Sequence, residues 1–192
     1  MKSTTLELFW VEKIKLTQNT INLTKGLTDS QLDFPDDLAL PSIRKSLHAM
    51  VSNDRRFANY LPFSLKMSGL FRFSPASQDE IERELTKIRD LFNPPALPPK
   101  LSEIIIRDPG NIDLSDTNSS LLPLFKSWVG VLNSIEKAIE NLSEEDAICL
   151  RYFSLSGIYV IPAAINMTAM QNHFLLKDGI LRFLNDKKFP KV

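Results

Sequence analysis

Apolar residues recur at steps of three and four over four long stretches of this chain, the spacing of amphipathic helices. The first stretch runs from about Thr4 to Lys25, with Leu6, Trp10, Ile14, Thr17 and Ile21 as its inward stripe. The second begins at Ser42, a residue type that caps helix N-termini, and stops near Leu61 and Pro62. Its inward face carries Ile43, Leu47, Met50, Phe57 and Leu61. The third runs from about Ser120 to Leu142, with Pro123 in its first turn. Phe125, Trp128, Leu132, Ile135, Ile139 and Leu142 form a seam of the kind that packs helix on helix. The last starts near Pro162 and ends by Asn185. There the same rule places Asn166, Met170, His173, Lys177, Ile180 and Leu184 on one face.

The segments between these stretches are punctuated. Thr28 to Gln31 is a capping box that opens a short helical turn, ended by Pro35. A second capping box, Ser77 to Glu80, opens a charged helix over Glu80–Phe92 with Ile81, Leu85, Ile88 and Phe92 as a narrow stripe. The prolines after Asn93 break it, and the stretch from Lys100 to Ser119 has no periodicity and reads as a long loop. Ser143 starts another short helical turn carrying Cys149, and Leu155 to Gly157 is a turn. The expectation is a single all-α domain over residues 1–192, a four-helix bundle with extra short helices. The Glu80–Phe92 helix and the long loop cap one side.

Composition narrows the function classes. The 192 residues are 43% hydrophobic and 24% charged, with 23 basic and 23 acidic side chains, so no global field recruits nucleic acid or an anionic membrane. One cysteine, Cys149, excludes an internal disulfide and a cysteine-rich metal knuckle, and reads as a small buried hydrophobe. The first residues lack signal-peptide form, and no apolar run approaches the ~18–20 residues of a spanning helix. These features point to a cytoplasmic protein with neither a nucleic-acid nor a membrane partner.

The candidate chemistry lies in a few inward polar residues. Asp54 falls on the apolar face of the second helix, where a carboxylate is costly unless paired. His48 sits at the edge of that face, one position round from Leu47. His173 and Lys177 lie one turn apart on the inward stripe of the last helix. Either of them is a suitable partner for Asp54.

Residues 27–35 read LTDSQLDFP, and residues 42–48 read SIRKSLH, followed by Asp54, Arg55, Arg56 and Phe57. This turn and helix, placed after a first long helix, resemble the N-terminal half of the DinB/YfiT-like superfamily. The resemblance implies a four-helix bundle, often a homodimer, with a divalent metal held by three histidines. It also implies an activity such as that of thiol-dependent transferases or isomerases, although many members have no known activity. His48 then matches the first metal ligand. The other two ligands of that family form His-x-x-x-His on the last helix, shortly before a Gln-Ile-like pair. Aligning Leu181 with the apolar residue of that pair gives His173 and Lys177. Aligning Ile180 gives Asn172 and Leu176, and no ligand survives. The first register is preferred because it keeps His173 and Lys177 inward.

A protonated lysine has no lone pair to give a metal. The expected site is therefore degenerate, with no cofactor or a weakly bound zinc or nickel ion at His48 and His173. Its pocket comprises Asp54, Lys177, Met170 and Asn166, with Lys177 taking the cation's place, and Lys177→His should restore metal affinity. Three functions follow as expectations. The first is binding of a small polar ligand in the degenerate pocket. The second is a divalent-metal-dependent thiol transferase or hydrolase using His48, His173 and a carboxylate. The third is a structural dimerisation module without activity.

Overall fold

The computed structural model describes residues 1–35, 41–67, 79, 83, 109–149, 151–152 and 158–190. Among the described residues the fold is all-α apart from one short hairpin. Its elements are α1 (Thr4–Thr24), α2 (Asp29–Leu32), α3 (Ile43–Met67), α4 (Leu122–Ile139), α5 (Glu144–Ile148) and α6 (Ile161–Leu176). A π-helical turn (Lys177–Leu181) continues α6 into a final α-helical turn, α7 (Arg182–Leu184). The hairpin, which the periodicity did not foretell, pairs β1 (Arg151–Tyr152) antiparallel with β2 (Ile158–Tyr159), Arg151 opposite Tyr159.

The helix starts follow from their caps. Ser3 Oγ accepts the Leu6 amide at the head of α1, and Ser42 Oγ accepts the Lys45 amide at the head of α3. Both halves of the Thr28–Gln31 capping box form on α2. Gln31 also donates to the Pro190 carbonyl at 2.8 Å, tying α2 to the end of the chain. Phe34 stacks edge-to-face on Phe183 and Phe189 at the same corner.

α3 packs on both α4 and α6, and α1 packs on α6. The α4 seam from Phe125 to Ile139 is fully buried, and Trp10 Nε1 on α1 reaches across to Glu136 on α4 at 3.1 Å. α1 is buried on nearly every side, including Thr17, Thr20 and Thr24. Each of these threonine hydroxyls donates to the carbonyl one turn back, so three polar side chains enter the core without an unmet donor.

Three expectations change. α3 does not stop at Leu61 but passes through Pro62 to Met67. Pro62 loses one backbone bond there, yet it faces solvent while Leu61 and Ser64 are buried beside it. The last helix is not uniform, because the π turn at Lys177–Leu181 inserts extra chain and ends the plain three-four rule. The loop before α4 is fastened where it is described. Asn118 donates to the Lys25 and Leu27 carbonyls and accepts from Ser120, and Lys25 pairs with Asp113 at 2.8 Å. The expected Glu80–Phe92 helix, apart from Arg83, lies outside the described residues, as do the first part of the loop and the Leu155–Gly157 turn.

Candidate functional site

The apolar stripe of α3 carries Asp54 into the interior, where none of its surface is exposed. An unpaired carboxylate there is unaffordable, and three helices supply it with donors. Lys13 Nζ from α1 lies 2.6 Å from Asp54 Oδ1, and Trp128 Nε1 from α4 donates to Oδ2 at 2.7 Å. Asn172 Nδ2 from α6 donates to both oxygens at 3.3 and 3.2 Å. Asn53, beside Asp54 on α3, donates its own amide to Asn172 Oδ1 at 3.2 Å. Lys13 is itself buried, and no second hydrogen-bond acceptor among the described residues reaches its ammonium. Full burial holds the Lys13 pKa below the ordinary lysine value, opposed by the charge and hydrogen bond of Asp54.

The expected Asp54 pairing with a cation is present, but the cation is Lys13 and not Lys177. Lys177 is exposed, and so is His48. The reason is rotational. α3 turns Ser46 and Asn53 toward α6, where they meet Gly179 and Asn172. His48 follows Ser46 by two residues, about 200° round the helix, and points to solvent. On α6, Asn172 meets Asp54 and Leu176 is buried one turn later, so Lys177 falls beyond the inward face just as the π turn begins. The register set aside in the sequence reading, Asn172 and Leu176, is the one that faces inward.

His173 and Asn166 are buried and Met170 is half-buried. Burial, then the neighbouring Lys177 charge, holds the His173 pKa below the usual histidine value, with Asp178 opposing.

These residues do not fit a divalent ion. His48 is exposed, whereas His173 is buried, at 8% exposure. The inward carboxylate, Asp54, is already held by an ammonium, an indole and an amide. Among the described residues no group of three or more His, Cys, Asp or Glu is placed to ligate a metal.

Beside this interior network lies a groove between α3 and α6, with a cavity of about 170 Å³. α3 lines it with Asn53, Arg56, Phe57 and Tyr60, and α6 with Ala164, Met167, Thr168 and Gln171. Asn166, Met170 and Lys177, expected in the pocket, do not line it, and Asp54 reaches it only through Asn172 and Asn53. The interior cation and the groove were both missed in the sequence, although spacing carried part of the information. Lys13 follows Trp10 by three and precedes Thr17 by four, which sets it on the inward side of α1. No family model matches the chain, and no curated protein or solved structure matches it either.

Proposed function

We propose that this protein is a four-helix bundle of the DinB/YfiT-like type that binds a small polar organic ligand in the α3–α6 groove. The Lys13–Asp54 pair supplies its interior charge in place of a divalent ion. The observation that carries the reading is Asn53, which lines the groove and is hydrogen-bonded through Asn172 into the buried Asp54 network. A polar side chain held in one orientation by buried partners is a preorganised contact for a ligand, and it loses little entropy on binding. The bundle assignment is supported by the order of the long helices, the capping box on α2 and the Ser42 cap on α3.

The metal-dependent transferase or hydrolase alternative requires His48 and His173 in one site, and no observation favours it. The dimer implied by the resemblance remains part of the proposal. Light scattering at tens of micromolar tests it. The ligand reading is tested by nuclear magnetic resonance with a library of small polar organic compounds, alongside calorimetric titration with zinc and nickel. Binders should shift the side-chain amide signals of Asn53 and Gln171. Tight stoichiometric metal, or a library that leaves both amides unmoved, overturns the reading.

A further inference from the structure

We propose that the α3–α6 groove takes an organic monocarboxylate with a flat apolar body and a neutral hydrogen-bond donor at its far end. This rests on the groove being a ligand site and names the class of ligand.

The charge requirement comes first. Arg56 is the one charged side chain among those lining the groove. It is exposed and makes no ion pair or hydrogen bond within the described residues. No acid lines the groove, so nothing there holds an ammonium. α3 exposes Lys45, Arg55, Arg56 and Lys66, and its one acid, Asp54, is buried against Lys13. A planar guanidinium fork matches a carboxylate in bidentate fashion, and a lone one suits a single negative charge.

The far end is set by a chain of hydrogen-bond polarity. An ionised Asp54 only accepts, so Asn172 turns its amide nitrogen to it and presents Oδ1 outward. That oxygen in turn accepts from Asn53 Nδ2, which leaves Asn53 Oδ1 as an acceptor at the groove. An acceptor there calls for a donor on the ligand. Arg56 lies one helical turn from Asn53, and Phe57 and Met167 give the space between an aromatic face and a thioether. An apolar cavity of about 150 Å³ holds benzene. The 170 Å³ here is room enough for one substituted ring.

The test is a titration of the protein, read by the side-chain amides of Asn53 and Gln171, with four probes. These are 4-hydroxyphenylacetate, its neutral amide, tyramine, and phenyl phosphate. The carboxylate should bind about tenfold more tightly than the neutral amide, the loss expected when one charge-assisted bond is removed. Arg56→Gln should bring the carboxylate down to the level of the amide without lowering Tm, because Arg56 is exposed and has no partner among the described residues. If tyramine, the neutral amide or phenyl phosphate binds as tightly as the carboxylate, or if Arg56→Gln leaves carboxylate binding unchanged, the ligand class is wrong while the groove stands as a site. If none of the four probes moves either amide, the ligand class is wrong, and the groove reading is decided separately by the polar-compound library.

Discussion

α3 carries two acid–base clusters that look alike on paper and differ in physics. Near its N-terminus, Arg44 reaches Asp33 and Asp29 at 2.7 Å each and also Ser120, linking α2, α3 and the start of α4. The acids there are more than half exposed, and water competes for every contact. Three turns further on, Asp54 and Lys13 meet with both side chains out of water. The hydrogen bonds from Ser120 and then Arg44 hold the Asp29 carboxyl below its usual range, while burial moves Lys13 against its own charged state. The outer cluster fastens a corner. The inner one is a commitment of the fold, because either partner left alone is a buried uncompensated charge.

The largest effect should come from breaking the inner pair. Lys13→Met strands Asp54 and is expected to cost about 3–5 kcal/mol by urea unfolding. A loss no larger than that of Arg44→Ala would show the pair to be dispensable. Next comes the crossing of α3 and the π turn. A Cβ added at Gly179 falls 2.3 Å from Ser46 Oγ and 3.0 Å from Ser46 Cβ. Gly179→Ala should therefore cost about 1–3 kcal/mol, the range for overpacking, and Ser46→Gly in the same chain should recover most of it. Failure of that rescue would mean the strain lies elsewhere.

The pH dependence sharpens the contrast. With its folded pKa depressed, Lys13 leaves the unfolded chain binding more protons between that value and ~10.4, so its term raises stability as pH rises through that window. His173 behaves likewise at lower pH. Its term is full above ~6.5 and is lost as pH falls toward its depressed folded value. Thermal melts across pH should show both slopes, with His173→Gln flattening the acid one and leaving the alkaline one. The smallest effect is at the surface. Arg44→Ala should lower Tm slightly at low ionic strength and not measurably at high salt. A loss that persists in high salt would move Arg44 into the same class as Lys13.

Much of the fold was legible because burial and helical period agree along α4 and the apolar part of α3. The site was less legible for three physical reasons. Lys13 belongs to an unbroken inward stripe, Leu6, Trp10, Lys13, Thr17, Thr20 and Thr24, but polar residues there hide the period that apolar ones announce. Asp54 was correctly placed in the core and in need of a cation, but sequence offers no distance between helices, and the nearer partner was on α1. His173 also lies at the edge of the inward face, next to the more deeply buried Asn172, so the three-four rule carries Lys177 inward from it although Lys177 faces water. For the same reason Lys177→His adds an imidazole on the surface. It should give no gain in zinc or nickel affinity, contrary to the sequence expectation.

The most direct test of the central claim, that Lys13 is the interior counter-ion of Asp54, is a double-mutant cycle on the native chain. Lys13→Met, Asp54→Asn and the double variant are compared with wild type by urea denaturation. The account predicts that the double variant costs less than the sum of the single losses by about 2–3 kcal/mol, the upper range for contacting residues. Losses that simply add would contradict it, because Lys13 and Asp54 would then be stabilised by separate partners.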